Sequence, residues 1–223
     1  MEKKLLSILL TVLLISPFYS ASSVLILPGA INYSAPKKTM EIAYPIIASG
    51  VNISVQEKIN QVIKRDIDNF NQYFQSHDIF TLNDLPDYFA KTTYSVEMND
   101  NNLLSITIIY YEYTGGAHGN YNMVSYVFDT VTGQRITSQD LFQPGFNFKE
   151  ILIGEVETEI SKSPQKYFED ASNTVLESNF SFYLKPGFFV VFYGLYDIAP
   201  YSSGIPEFPI STALLKEGLK IHF

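Results

Sequence analysis

His118 is the side chain of this sequence most able to do chemistry, because it stands among small residues in the run Gly115-Gly116-Ala117-His118-Gly119. An imidazole titrates near neutrality and can serve as a general base or a metal ligand. Either role needs partners at a fitting spacing, and neither His-x-His nor His-Glu-x-x-His occurs. His77 follows a predicted helix end and His222 lies near the C-terminus, so both read as incidental. Asp129 and Asp140 flank a Thr-Gly turn, but their spacing fits no calcium loop. Asp before such a turn usually bonds local backbone N–H groups. The glycine run leads into a strand, so it lacks the helix N-terminus that makes a phosphate loop effective. No Gly-x-Ser-x-Gly elbow or Ser-x-x-Lys pair supplies a nucleophile. The sequence therefore assigns no catalytic residue, no metal ligand and no cofactor. The imidazole of His118 reads as a lock on its own loop, bonded to neighbouring backbone.

Recognition chemistry is better represented. The chain has 16 Tyr, 17 Phe and no Trp. A tyrosine can bury its ring and keep its hydroxyl wet or hydrogen-bonded, which suits protein and sugar surfaces. Two loops concentrate such residues. One offers Tyr113, Gly115, Gly116, His118 and Tyr121, and the other offers Tyr196, Tyr201 and Ser202. These eight are the candidate ligand-binding residues. The competing reading of the second loop is a satellite core beneath a long connection.

Elements must hold these loops. Residues 24–37, with Pro28-Gly29 and Pro36, read as an extended linker. Residues 39–47 read as a strand. Val55, Ile59, Val62, Ile63, Ile67, Phe70 and Phe74 recur at threes and fours, predicting a helix over 54–76 that lies on a sheet. Ser54 with Glu57 fits a capping box at its start. Residues 94–98 and 103–113 predict a hairpin about the asparagine-rich turn 99–102, and 121–129 a third strand. Leu104, Ile106, Ile108 and Tyr110 share one face of the middle strand. Helical segments are predicted at 138–142, at 148–160 and from Pro164. A second hairpin runs over 180–193, with 188–193 apolar on both faces and hence central in a sheet. Residues 207–210 form a last strand, and Ser211 caps a final turn. Strands and helices do not alternate strictly, which disfavours a doubly wound parallel sheet and favours α+β.

Composition sets the compartment. Residues 1–4 are a short basic segment, 5–15 an apolar core, and 20–23 small residues suited to cleavage. Residues 1–22 are thus expected to be a signal peptide, making the protein secreted or extracytoplasmic. An uncleaved N-terminal anchor is the alternative. No later run is long enough to span a bilayer. The chain has no cysteine, so disulfides, thiol catalysis and a lipid-bearing cysteine are excluded. Removing residues 1–22, which carry two Lys and one Glu, takes the formal net charge from −8 to −9. That balance disfavours nucleic acid and favours a basic partner.

Several motifs in order resemble a known family. They are Tyr44-Pro45, the long amphipathic helix, Tyr-x-Tyr-x-Gly-Gly-Ala-His-Gly from Tyr111, and Phe-Asp-x-x-Thr-Gly from Phe128. Asp140-Leu141-Phe142, Phe182-Tyr183-Leu184 and Ala-Pro-Tyr-x-x-Gly from Ala199 complete the set. The chain resembles the paired extracytoplasmic domains of unknown function shared by lysozyme-sensing anti-sigma factors and the N-terminal region of some peptidoglycan deacetylases. The resemblance spans about residues 38–215. It implies an α+β fold of two small subdomains, with antiparallel or mixed sheets and packed helices. It further implies that the second subdomain is related in topology to a subdomain of Hsp70-type ATPases. The expected divisions are signal peptide 1–22, linker 23–37, first subdomain 38–118, second subdomain 119–215 and tail 216–223. No sigma-binding segment or deacetylase domain is expected, leaving a free-standing copy of the external module. The function so implied is a non-catalytic binding module for a cell-envelope or external ligand, with lysozyme or peptidoglycan fragments as examples. Two alternatives stand beside it: a cell-wall hydrolase pairing His118 with Asp129 or Glu207, and a structural envelope protein.

Overall fold

A computed structural model describes residues 23–76, 87–177, 180–221 and 223. The signal peptide, His77 and His222 lie outside the described residues. The first unit is a five-stranded mixed sheet in the order β1-β2-β3-β4-β5. Its strands are β1 (Leu25–Ala35), β2 (Lys38–Ser49), β3 (Tyr88–Asp100), β4 (Leu103–Tyr113) and β5 (Asn120–Asp129). Helix α1 (Ile53–Ser76) follows β2 in the chain and precedes β3. β2 and β3 run parallel, and a parallel pair needs such a crossover. All other pairs are antiparallel. The second unit is an antiparallel sheet of β6 (Ser181–Lys185), β7 (Phe188–Phe192) and β8 (Glu207–Ser211). Helices α2 (Phe148–Lys162), α3 (Ala171–Glu177) and α4 (Thr212–Leu215) accompany it. Fold class is therefore α+β, as expected.

α1 buries Val55, Ile59, Ile63, Ile67 and Phe74 against Ile42, Leu104, Ile106, Ile108, Tyr126 and Phe128 of the sheet. Its cap is Asn52 rather than Ser54, since Asn52 Oδ1 accepts the Val55 N–H at 3.0 Å and the Ser54 hydroxyl at 2.9 Å. Such a cap stabilises by about 1 kcal/mol. β2 and β3 pair only as far as Ile42 and Thr92. Beyond that point side chains replace the missing strand. Thr92 Oγ1 accepts from Ala43 N and donates to Ala43 O, at 2.9 and 2.7 Å. Asn60 of α1 makes the matching pair with Ile47 N and O, at 2.8 and 2.9 Å. Buried backbone groups are thus satisfied where the ladder opens. Pro45 sits beyond the divergence, so its absent N–H costs no ladder bond.

Residues 23–37 differ from the linker reading. They form β1, paired with β2 along its length. Pro28 is tolerated because β1 is an edge strand. Gly29 is buried opposite Tyr44, and a Cβ there would lie 2.6–2.8 Å from that ring and Ile46. The β3–β4 turn is Asn101-Asn102, with φ of 53° and 61°, as a two-residue type I′ hairpin requires. β5 hydrogen-bonds to β4 and completes the first sheet, so the division placed after residue 118 falls inside a hairpin of the first unit. Residues 216–223, expected as a tail, return to the core. Leu219 is buried and bridges to Phe142, with Lys220 N donating to Leu141 O at 2.9 Å.

In the second unit β7 is the central strand, and Phe189, Val190, Val191 and Phe192 are all buried. Leu152, Val156 and Ile160 of α2 pack on Phe189, Val191, Phe208 and Ile210. The same cluster takes in Met98, Leu103 and Val127 of the first sheet. Fully buried Ser105 of β4 accepts the Leu184 N–H of β6 at 2.9 Å. The five-stranded sheet is thus covered by α1 on one face and by the second unit on the other. Among the described residues no helix is long and apolar enough to cross a membrane.

Candidate functional site

The two tyrosine-bearing loops meet. The first joins β4 to β5, and its turn uses Gly115 and Gly116 at φ of 87° and 135°, a region most side chains avoid. Tyr113 braces it by donating to Gly116 O at 2.9 Å. Gly119 is buried, and a Cβ there would lie 2.2–2.6 Å from the Tyr111 ring and hydroxyl. The second loop follows β7. Gly194 N donates to Asp197 Oδ2 at 2.7 Å, and the chain reaches a 3-10 turn at Tyr201–Ser203.

Tyr201 is the hub. Its ring stacks on His118 with centroids 4.0 Å apart and planes at 24°. Tyr121 meets it edge-on at 6.0 Å, and Tyr196 lies tilted at 5.9 Å. Its hydroxyl donates to Gly119 O at 2.9 Å. Desolvation raises the Tyr201 hydroxyl pKa, and the nearby phenols of Tyr121, Tyr111 and Tyr196 add to the rise. Of the eight candidates, His118, Tyr121, Tyr196 and Tyr201 come together as rings. Tyr113, Gly115 and Gly116 shape the first loop, and Ser202 is exposed in the 3-10 turn. Tyr196 is 51% exposed and holds a positive φ of 65°, unusual for an aromatic residue. His118 is exposed too. Its Nδ1 lies 2.9 Å from Gly119 O. A carbonyl can only accept, so Nδ1 carries the proton in that bond.

The carboxylates proposed to partner His118 are engaged elsewhere. Asp129 Oδ1 accepts from Val131 N and Thr132 N at 2.7 and 2.9 Å. It ends β5, about 30 Å along the strand from Asn120 at the usual rise per residue. Glu207 accepts from the Tyr183 hydroxyl, whose pKa is raised by burial first and by that carboxylate second. Asp140 caps its own turn, accepting from Thr137 N at 2.8 Å and Oγ1 at 2.6 Å. Those bonds lower its pKa. Among the described residues no group of three or more His, Asp or Glu side chains is arranged to hold a metal.

A second concavity was not anticipated. It is a cleft of about 330 Å³ between the C-terminal half of α1 and the adjoining ends of β4 and β5. Asp66, Asn69 and Phe70 line it from the helix, and Tyr110, Glu112 and Asn122 from the strands. Tyr126 donates to Asp66 Oδ2 at 2.9 Å, and its oxygen lies 3.1 Å from that of Tyr110. Burial is the main cause that pushes Tyr110 up to about 12 and Tyr126 higher still. Glu112 Oε2 is buried without a hydrogen-bond partner. A signal for it existed. Leu104, Ile106, Ile108 and Tyr110 alternate onto the α1 face, and position 112 continues that face with a carboxylate.

In class, this is an α+β protein of two packed units with an aromatic loop cluster. Its relatives agree with that description. Residues 32–121 match the family described as Deacetylase PdaC, and residues 139–213 match the Protein of unknown function family DUF3298, so the chain carries the two matches in tandem. The fold is similar to a DUF3298 family protein from Pseudomonas aeruginosa PAO1, at 17% identity and a TM-score of 0.64. It is similar also to a member of that family from Bacteroides fragilis, at 19% identity and a TM-score of 0.64. Each alignment covers 89% of this chain and 94% of the other. No curated protein matches the sequence.

Proposed function

We propose that this protein is an exported, non-catalytic binding module that recognises a cell-envelope or external ligand through the ring cluster about Tyr201. The observation that carries this reading is the convergence of two loops, about eighty residues apart in sequence, on one tyrosine. Tyr196 and His118 remain exposed at its edge. Exposed rings held by a rigid scaffold suit protein and glycan contacts, because little rotamer entropy is lost on binding. The net charge of −8 favours a basic partner. The first matched family is named for a deacetylase, but the matched region resembles the part that precedes the catalytic domain in such enzymes. Export rests on the signal-like segment 1–22.

Titration calorimetry with animal-type lysozyme, at low and moderate salt, tests the reading. Saturable binding that survives moderate salt and is weakened by Tyr201→Ala is the expected result. Binding that vanishes with salt means charge attraction alone. If lysozyme fails, peptidoglycan fragments are the next ligands. Failure of both, or indifference of any binding to Tyr201→Ala, removes this surface as the contact site.

A further inference from the structure

The cleft between α1 and the sheet lies on the opposite face from the Tyr201 cluster and rests on none of its residues. Successive strand residues point to opposite faces. Tyr111 and Tyr121 therefore face away from Glu112 and Asn122, with which they alternate. The polar groups of the cleft differ in how far they are used. Asp66 accepts from Tyr126 through Oδ2 and from Arg65 Nε through Oδ1, at 2.9 and 3.2 Å. Because Tyr126 donates to Asp66, its oxygen accepts the Tyr110 proton. That chain is closed. Glu112 Oε2 is buried and has no hydrogen bond at all.

Such an oxygen is costly, and in native structures a buried polar atom nearly always has a partner. An ionised carboxylate accepts only, so its missing partner must donate. A charged donor forms the stronger bond and offsets the desolvation of both groups. Anionic ligands are repelled by Glu112, by Asp66 and by the net charge of −8. The walls favour the same occupant. Phe70 and Tyr110 meet edge to face at 5.2 Å, giving an apolar surface with a π face suited to an alkyl chain and its cationic end. The volume, about 330 Å³, matches the lower range of small-molecule sites. We propose that this cleft binds a small organic ligand bearing a protonated primary amine, with the ammonium on Glu112 Oε2 and the carbon frame against Phe70 and Tyr110.

Pentylamine and 1-pentanol separate the charge from the chain, because they share length and differ in the end group. Their binding to the purified protein is measured by NMR titration in about 150 mM salt, where loose charge attraction is screened. Pentylamine is expected to saturate and to bind at least about tenfold tighter than the alcohol. Glu112→Gln removes that preference while leaving the alcohol unchanged. Asn69→Trp, made on the exposed side of α1, fills the cleft and blocks both ligands with Glu112 intact. The proposal is overturned if the amine binds no better than the alcohol, or if its preference survives Glu112→Gln. Undiminished binding to Asn69→Trp overturns it too, and that variant decides the matter if Glu112→Gln fails to fold.

Discussion

The loop cluster and the helix–sheet cleft occupy the same end of β4 and β5 on opposite faces, and they use their polar groups in opposite ways. In the loop cluster the hydroxyls of Tyr113 and Tyr201 and Nδ1 of His118 are all bonded to loop backbone. What the cluster offers outward is ring surface. In the cleft the aromatic residues are structural and one carboxylate oxygen is left unmatched. The residues that stand out in a sequence, glycine, histidine and tyrosine, are here largely consumed in holding a loop shape. An ordinary glutamate keeps the unspent bonding capacity. Bonding capacity follows from the neighbours, and a residue type alone does not reveal it.

Alkaline titration should give the largest contrast. Tyr110, beside the cleft, has a folded pKa of about 12 against an ordinary 10.0, chiefly through burial. A raised value means the neutral phenol is favoured in the folded state. Its contribution is complete below about pH 10 and is lost as pH rises from there through about 12. Urea unfolding followed between pH 9 and pH 12 should show a loss of up to about 2–3 kcal/mol from this group, absent in Tyr110→Phe. An unchanged pH profile in that variant would mean the phenol is not buried as described.

Gly119→Ala tests the loop cluster with a smaller effect. The new methyl meets the Tyr111 ring, so a loss of about 2 kcal/mol is expected in denaturant unfolding. Combination with Tyr111→Ala should cost less than the two changes summed, since the clash is gone. Strict additivity would show that the ring moves aside freely.

Glu112→Gln should move stability the other way and least. Replacing a buried, unmatched carboxylate by a neutral amide lowers the desolvation cost, so a gain of about 0.5–1 kcal/mol at pH 7 is expected in the absence of ligand. A loss instead would show that the charge is already balanced and would erase the contrast between the two regions.

Local patterns made much of the fold legible. The threefold and fourfold spacing along α1 and the alternation along β4 each reflect one element with one buried face. Asn101-Asn102 and Pro186-Gly187 marked hairpins because their backbone demands are local. β1 was read as a linker because Pro28 and Gly29 usually break strands, and only the edge position and the Tyr44 ring explain their presence. α3 gave no usable signal, being seven residues long. The candidate loops were identified from their rings and glycines. Glu112 passed unnoticed because a strand-end glutamate is ordinarily solvated.

The sequence by itself determined which segments are helical or extended, where the chain turns, and which loops carry exposed rings. Those properties depend on side-chain periodicity and on φ preferences within a few residues. The tertiary structure decided that Tyr201 lies on His118, that β5 closes the first sheet, and that Glu112 lies buried across from α1. Each of these depends on contacts between residues far apart in the chain, and burial, which sets what a carboxylate or an imidazole can do, is a property of those contacts.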